Sequence, residues 1–285
     1  MKILVVIVSY NGSRWIPACA DGLRRCGLPV DLYVYDNAST DGSAEAWEEA
    51  WPGATLVRSR TNDGFTAANN AGFRHALAGD YDAVYLLNQD AWFGPDTLAK
   101  LAAAMERHPE YALLSPMQQA ADGAPDANFR RDVLPRAGAE QDGICEVPRV
   151  MAAHWLVSRK ALETVGLFEP LLPLYGQDDN WCDRALYHGF RIGFLPDAPA
   201  VHDRAERREP KERIIYRNYY MGSLVRLLDI RRPLWRQRLY VLLFTFVKTF
   251  KYASFRPVKH YCSLLKQMRD IRAARACTCQ TQAYV

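Results

Sequence analysis

The stretch KILVVIVSYNG at residues 2–12 decides the fold. Its residues 3–8 are all aliphatic and mostly β-branched, without polar alternation, which is typical of a strand buried on both faces of a parallel sheet. Three further short runs are predicted as strands, at residues 31–35, 54–58 and 83–87. Helical patterns are predicted at residues 43–51, 66–78 and 95–108. Alternation of this kind predicts an α/β fold with a mainly parallel sheet flanked by helices.

The composition is that of a soluble globular protein. The chain has 285 residues, of which 49% are hydrophobic and 24% charged, so wholesale disorder is excluded. The longest strongly apolar stretch, residues 239–247, is shorter than the roughly 20 residues that span a bilayer, and the start lacks the pattern of a secretory signal. The seven cysteines are scattered without a CxxC pair, which favours reduced thiols. We therefore expect a cytoplasmic protein.

Charge is unevenly distributed along the chain. Residues 204–285 contain 19 Lys and Arg but 5 Asp and Glu, whereas residues 1–203 contain 17 basic and 27 acidic residues. Apolar and aromatic residues run through the basic part, which predicts amphipathic helices. Two interpretations stay open, namely helices lying on an anionic membrane surface or helices packed on the protein's own body. No nucleic-acid-binding module is recognisable, so nucleic acid is not an expected partner.

Polar clusters follow all four predicted strands. They are Ser9-Tyr10-Asn11-Gly12, residues 36–41, Asn62-Asp63-Gly64-Phe65 and Asn88-Gln89-Asp90. Because the carboxyl ends of parallel strands meet at one edge of a sheet, we expect these clusters to form one crevice. Asp41 and Ser43 are expected to cap the helix that follows them. The patterns GxGxxG, GxxxxGK[ST] and GxSxG are absent, which argues against an ordinary dinucleotide fold, a P-loop enzyme and a hydrolase nucleophile elbow.

Five segments together resemble glycosyltransferase family 2, whose members have the GT-A nucleotide-sugar fold. They are VIVSYNG (6–12), VYDNASTDGS (34–43), NDGFTAANNAGF (62–73), LLNQDAWF (86–93) and the block at residues 166–202. Residues 216–218 are in addition similar to bacterial rhamnosyltransferase-like members. The resemblance implies a GT-A domain over residues 1–203, with a nucleotide-sugar half at about 1–110 and an acceptor half at 111–203. A basic, amphipathic, helical C-terminal region at 204–285 follows.

The resemblance implies a donor site at the strand ends. Asp36 ends a buried strand, so its carboxylate is expected to accept from the imide N–H of uracil or thymine, with an Asx turn as the alternative. Asp90 stands in the family's metal motif and, with His202, is implied to bind Mn²⁺ or Mg²⁺, although a structural role for His202 stays open. The implied nucleotide-binding residues are Ser9, Tyr10, Asn11, Asp36, Asn62, Gly64, Phe65, Asn70 and Asn88.

The resemblance also implies a general base and an acceptor site. Asp178 aligns with the family's catalytic Asp, and Asp179 is the reserve candidate, with simple decoration of a helix N-terminus as the alternative. Gln177 and Asn180 stand where the family usually has acidic residues. For the two tryptophans of the acceptor set, core packing is an open alternative. The implied acceptor-binding residues are His154, Trp155, Gln177, Trp181 and Arg184.

The sequence therefore predicts an inverting, metal-assisted glycosyltransferase of bacterial surface polysaccharide synthesis. It would move a sugar from a UDP- or dTDP-sugar to a hydroxyl of a cell-surface glycan or lipid-linked saccharide, in the cytoplasm or on the inner face of the plasma membrane. Gln177, Asn180 and Asn88 keep open a second hypothesis, a catalytically weak nucleotide-sugar binder. A nucleotidyltransferase is a remote third, because the Gly-rich loop that such enzymes place after the first strand is missing.

Overall fold

A computed structural model of the chain describes residues 1–203, 212 and 216–285. Its strands are β1 Ile3–Ser9, β2 Asp31–Asp36, β3 Thr55–Arg58, β4 Ala83–Asn88, β5 Ala91–Phe93, β6 Tyr111–Gln119, β7 Glu140–Gln141, β8 Ile144–Glu146, β9 His154–Ser158 and β10 Arg191–His202. In this part of the chain they form one sheet in the order β3-β2-β1-β4-β9-β6-β10-β8-β7, with β5 beside β10.

Eleven α-helices accompany the sheet in the described residues. Those of the first two-thirds are α1 Ile16–Arg24, α2 Ser43–Ala50, α3 Gly64–Ala78, α4 Thr97–Arg107, α5 Ala127–Asp132, α6 Arg159–Val165 and α7 Gln177–Tyr187. The others are α8 Gly222–Leu228, α9 Leu234–Tyr252, α10 Arg256–Lys266 and α11 Met268–Thr278. Short 3₁₀ turns lie at Ser13–Trp15 and Leu134–Arg136, and a π-helical turn, Tyr216–Met221, leads into α8.

The expected α/β fold class is confirmed. Strands β1 to β4 match the four predicted runs and pair in parallel, with β1 between β2 and β4. Helices α2, α3 and α4 match the three predicted helices within two residues at either end. The second half of the sheet is mixed, because β9 runs antiparallel to both β4 and β6.

Strands β5 to β10 and helix α1 are among the elements that the sequence analysis did not predict. Residues 158–202 end in β10, a twelve-residue strand within the sheet, where no strand was predicted. Its Pro196 and Pro199 argue against a strand by sequence, and the structure accommodates them with a shift of register between Leu195 and Pro199. Helix α1 was missed as well, although Pro17 lies in its first turn, where proline is tolerated.

The sheet separates two apolar layers. Side chains of β1 alternate between them, with Val5 packing against α1 and α4 and Val6 packing against α3 and α6. Residues from α1, α2 and α4 fill the first layer, and residues from α3, α6 and α7 fill the second. The helices therefore cover both faces, and the carboxyl ends of β1, β2 and β4 stay accessible at one edge.

The C-terminal helices form a third apolar cluster. It joins α8 to α11 and includes Leu172, which lies in the loop before α7. The C-terminal region therefore packs on the preceding domain, as one of the two open interpretations expected. The expected domain boundary between residues 203 and 204 adjoins residues 204–211, which lie outside the described residues. Among the helices that the structure describes, none combines the length and apolar character needed to cross a membrane.

Candidate functional site

The structure brings three of the predicted strand-end clusters together at one edge of the sheet. Ser9 at the end of β1 pairs in register with Asp36 at the end of β2, and Asn88 at the end of β4 pairs with Val8 on the other side. The backbone confirms this adjacency, because Asn37 N donates to Ser9 O at 2.8 Å. These three strand ends therefore lie side by side, as the expected crevice requires.

The loop after β1 is held by its two neighbours. Tyr10 exchanges two hydrogen bonds with the Gln89 carboxamide, donating from N to Oε1 at 2.7 Å and accepting at its O from Nε2 at 3.0 Å. Asn11 has a positive φ of 47° and accepts from Thr40 N at 2.8 Å through Oδ1. A Cβ on Gly12 would collide with the Gln89 carboxamide, so a larger residue there would displace Gln89 from Tyr10. Gln89 is a positioning residue that the sequence analysis did not single out.

Asp41 and Ser43 support the same loop rather than capping α2, whose N-cap is Gly42. Ser43 Oγ accepts from Gly12 N at 3.0 Å, and Asp41 Oδ2 accepts from Ser13 N at 3.0 Å. Burial opposes ionisation of Asp41, but the hydrogen bonds from Ser43 and Ser13 prevail and lower its pKa to about 2. Asp41 is therefore a permanent anion that holds the β1 loop.

Asp36 is buried at the bottom of the crevice with one carboxylate oxygen in use. Its Oδ2 accepts from Ser39 N at 3.1 Å, which is the turn-like contact foreseen as the alternative role. Its Oδ1 is buried and has no hydrogen-bond partner among the described residues, and the same is true of Ser9 Oγ. Burying an acceptor without a hydrogen-bond partner costs free energy. Two such atoms at the ends of neighbouring strands therefore indicate a place for the hydrogen-bond donors of a ligand.

The predicted residues of the third cluster lie at the rim of the crevice. Asn62 Oδ1 accepts from Gly64 N at 3.0 Å, and Gly64 needs glycine because its φ is 85°. Asn70 differs, since its carboxamide both donates to Phe168 O at 3.0 Å and accepts from Phe168 N at 2.9 Å. Asn70 is thus fully used in joining α3 to the following domain half, and we leave it out of the nucleotide site. Phe65 is half-buried and its ring lies 6.5 Å from that of Phe168.

Asp90 and His202 lie side by side although 112 positions separate them. The strand pair β5–β10 aligns His202 with Ala91, which places His202 Nε2 3.5 Å from Asp90 Oδ1. Both side chains are fully buried. Asn88, the third residue of this corner, donates its backbone N–H to Ala153 O at 3.0 Å. No group of three or more His, Cys, Asp or Glu side chains in the described residues is arranged to hold a metal ion.

Asp178 and Asp179 occupy the first turn of α7. Asp178 Oδ1 accepts from Asp179 N at 2.9 Å. Burial, together with the neighbouring Asp179 carboxylate, raises the pKa of Asp178 to about 6. Arg149 Nη1 lies 3.8 Å from Asp179 Oδ1, so Arg149 contributes positive charge here. Nothing in the sequence distinguished Arg149 from the other arginines of its polar segment.

Four of the five predicted acceptor residues are fully buried: His154, Trp155, Trp181 and Arg184. Trp155 Nε1 donates to Val150 O and Trp181 Nε1 to Gly166 O, and their rings lie 5.6 Å apart in the core. Arg184 donates to Leu167 O, and burial lowers its pKa to about 10. Such burial leaves no surface for an acceptor sugar, so we assign these residues to the framework beneath the site.

His154 has a defined protonation state within that framework. Its ring nitrogens contact Tyr85 OH and Val201 O, each at 2.9 Å. Burial lowers the pKa of His154 to about 3, so the neutral ring accepts from Tyr85 and donates to Val201. Gln177, the fifth predicted acceptor residue, is buried as well, and its Oε1 has no hydrogen-bond partner in the described part of the chain.

Comparison with known proteins agrees with this arrangement. Residues 4–166, more than half of the chain, match the model of glycosyl transferase family 2. An N-acetylglucosaminyl-diphospho-decaprenol L-rhamnosyltransferase from Mycobacterium tuberculosis is 25% identical over 269 residues, which cover 81% of this chain and 86% of that protein. The dTDP-rhamnosyl transferase RfbF of Shigella flexneri is 23% identical over 146 residues, or 50% of this chain and 49% of that one.

Solved structures show the same architecture. The mannosyltransferase PcManGT from Pyrobaculum calidifontis, in complex with GDP-Man and Mn²⁺, superposes with a TM-score of 0.63 at 18% identity, covering 97% of this chain and 84% of that chain. At that identity the likeness establishes the GT-A fold. With the family match over residues 4–166, it follows that the chain belongs to glycosyl transferase family 2 and is a glycosyltransferase similar to the rhamnosyltransferases of that family.

Proposed function

We propose that the protein transfers a sugar from a UDP- or dTDP-sugar to a hydroxyl of a lipid-linked saccharide, with inversion at the anomeric carbon. The observation that supports binding of the nucleotide donor is the buried Oδ1 of Asp36, which lacks a hydrogen-bond partner among the described residues. An imide N–H of uracil or thymine supplies the donor that this oxygen needs. The Shigella relative is a dTDP-rhamnosyl transferase, which agrees with a thymine nucleotide.

The rim of the crevice suits the rest of the nucleotide. Tyr10 is 46% exposed, so its ring is accessible to a base, and Ser9 pairs in register with Asp36 at the end of the neighbouring strand. At Gly64 the rim consists of backbone alone, because glycine has no side chain. In this proposal Asn11, Asn62, Phe65 and Asn88 shape the walls of the donor site.

A divalent cation fits the corner formed by Asp90 and His202. A carboxylate and an imidazole suit Mn²⁺, which accepts both oxygen and nitrogen ligands. Since the described residues contain no group of three ligands, donor diphosphate oxygens and water would complete the coordination. When bound, the ion would supply positive charge for the departing nucleoside diphosphate. The Mn²⁺ of the Pyrobaculum structure supports a metal-assisted reaction.

Asp178 is the proposed general base. Its raised pKa lets the carboxylate take the acceptor's hydroxyl proton near neutral pH while the hydroxyl oxygen attacks the anomeric carbon. Asp179 is less suited because its carboxylate lies beside Arg149. The second hypothesis, a catalytically weak nucleotide-sugar binder, has one specific observation in its favour. Gln177 and Asn180 place buried amides where the family usually has carboxylates. That hypothesis predicts donor binding without turnover.

One face of α9 supports action at a membrane. It exposes a row of large apolar side chains, Trp235, Leu239, Leu243, Phe246, Val247 and Phe250, the last with 83% of its surface accessible. Lys248, Lys251, Arg236 and Arg238 belong to the same helix, and α9 has no acidic residue. Apolar residues flanked by cations favour the interface of an anionic bilayer. We infer that α9 binds the membrane that carries the lipid-linked acceptor.

Binding of the donor's nucleotide is tested by thermal unfolding of the protein with UDP, dTDP, GDP and CDP, each with and without Mn²⁺. A ligand at about 100 times its Kd stabilises the folded state by roughly 2.7 kcal/mol. We expect a Mn²⁺-dependent shift with UDP or dTDP that Asp36→Asn abolishes. Asp31→Asn, at the opposite end of the same strand, is the matched control and should keep the shift. A preference for GDP or CDP, or an unchanged shift in Asp36→Asn, would contradict the assigned role of Asp36.

A further inference from the structure

A cavity of about 540 Å³ lies beside Asp179, between α7 and the C-terminal helices. Its size falls within the roughly 300–1,000 Å³ of small-molecule sites. One wall comes from α7 and Arg149, and the other comes from residues 218–232 and from α9. The second wall lies wholly outside the family match at residues 4–166. The cavity is thus a feature of this chain's own C-terminal region rather than of the donor crevice.

Ionised side chains of alternating sign connect the two walls. Arg149 contacts both Asp179 and Asp183, and Arg231 contacts both Asp183 and Asp229. Arg149 Nη2 lies 2.6 Å from Asp183 Oδ2, and Arg231 Nη2 lies 2.6 Å from Asp183 Oδ1. Two of the four arginines in the cavity are therefore engaged by buried carboxylates. They hold the walls in place and contribute little free positive charge.

The positive charges of the other two arginines of the cavity are less neutralised by carboxylates. Arg226 contacts the Tyr240 ring, with its guanidinium carbon 4.0 Å from the centroid, and no carboxylate pairs with it among the residues described. Within the described part of the chain, the carboxylate that pairs with Arg232 is that of Asp229, at 3.8 Å, and the Arg232 side chain is 70% exposed. Two guanidinium groups at one cavity suit a phosphate or diphosphate, which accepts paired N–H bonds.

The cavity is amphiphilic, with aromatic rings beside the cations. Tyr240 and Phe244 of α9 line it, and their rings stack with centroids 5.8 Å apart. Both residues lie next to the exposed apolar row of α9, since Leu239 and Leu243 precede them directly. A ligand with an anionic head at Arg226 and Arg232 would pass its tail along these rings towards the proposed membrane face.

We propose that this cavity binds the diphosphate and the first isoprenoid units of a polyprenyl-diphosphate-linked acceptor. The assignment rests on the proposed function, because it names the acceptor class for that same site. The acceptor sugar would then lie at the Asp179 end of the cavity, close to the proposed base, with the lipid leaving along α9. Specificity for the acceptor is thereby assigned to Arg226, Arg232, Tyr240 and Phe244, and not to the buried tryptophans.

Binding of farnesyl diphosphate to the full chain tests the proposal without needing turnover. Calorimetry is performed in EDTA, because the donor crevice is expected to bind a diphosphate only when Mn²⁺ is present. We expect binding that weakens at least tenfold in Arg226→Gln and in Arg232→Gln, as loss of a charge-assisted contact requires. Arg272→Gln, an exposed arginine of α11 outside the cavity, should bind as the wild type does. Both replaced cavity arginines are exposed, and thermal unfolding confirms that the variants fold.

Three ligands of related chemistry separate the alternatives. Farnesol should bind poorly, and inorganic pyrophosphate should bind more weakly than farnesyl diphosphate, with Tyr240→Ala reducing that difference. Equal binding of pyrophosphate and farnesyl diphosphate would overturn the isoprenoid assignment. If the arginine variants lost binding to phosphatidylglycerol vesicles but not to farnesyl diphosphate, the cavity would be a lipid-headgroup site and the proposal would fail. Failure of the proposed function would show instead as absent nucleotide binding in the wild type, whatever farnesyl diphosphate does.

Discussion

The Asp178–Asp179 pair predicts how activity depends on pH. The pKa of Asp178 is raised to about 6 by burial and by the adjacent carboxylate, and a general base works only when it is deprotonated. With a single titration at that value, the active fraction falls about tenfold between pH 7 and pH 5. Because the two carboxylates interact, the apparent midpoint belongs to the pair.

Removal of Arg149 tests the electrostatic origin of that midpoint. Arg149 Nη1 lies 3.8 Å from Asp179 Oδ1, and its positive charge favours the ionised pair. In Arg149→Gln we expect the acid limb of kcat/KM to move to higher pH, by about 1 unit for a contact worth about 1.4 kcal/mol. Asp178→Asn should lower kcat by about 10² to 10⁴ while leaving donor binding intact.

The assay measures initial rates of sugar transfer from pH 4.5 to 8.5 at fixed ionic strength. Asp122→Asn, an exposed carboxylate in a distant turn, is the control and should keep the wild-type profile. An acid limb with a midpoint near pH 4 would show that an ordinary exposed carboxylate is titrating. An unmoved midpoint in Arg149→Gln would refute the electrostatic coupling, and full activity of Asp178→Asn would refute the assignment of the base.

Three further predictions concern stability and the membrane. Gly72→Ala would press a methyl group into a valine of β1 and should cost about 1–3 kcal/mol in urea unfolding, whereas Gly53→Ala, with open space around it, should cost little. Asp183→Asn removes the buried anion that Arg149 and Arg231 share, and it should lower the free energy of unfolding by about 1–3 kcal/mol, because both guanidinium groups are partly exposed and keep a second carboxylate; an unchanged free energy of unfolding would contradict this. Leu243→Asp with Phe250→Asp should abolish flotation with anionic vesicles at unchanged thermal stability, and flotation like that of the wild type would exclude α9 as the contact.

The first half of the fold was predictable because its signals are local. Each of β1 to β4 is a short apolar run followed by polar residues, and parallel pairing then places Ser9, Asp36 and Asn88 at one edge. The second half depends on contacts between distant segments. Strand β10 contains two prolines, which suggest a break by local rules, and only pairing with β6 and β5 makes it a strand.

The candidate site shows the same division. The burial of Gln177, Asn180, Trp181 and Arg184 follows from their spacing, because positions i, i+3, i+4 and i+7 share one helix face. This signal was present in the sequence and argues for core positions rather than acceptor contact. The proximity of Arg149 to Asp179, by contrast, comes from a loop 30 residues earlier, and no local pattern encodes it.

The C-terminal region is a structural part of the catalytic side rather than a separate appendage. Arg231 completes the charge balance of Asp183, and Asp183 in turn orients Arg149 beside Asp179. A second contact lies at the chain's last residues, where Ala283 O accepts from Leu167 N at 2.9 Å and leaves room for no side chain on Gly166. The first contact acts on α7 itself, and the second acts on the segment that leads into it. The position of the helix that carries the proposed base therefore depends on residues beyond the family's common domain, which is where acceptor specificity can differ between members that share one donor crevice.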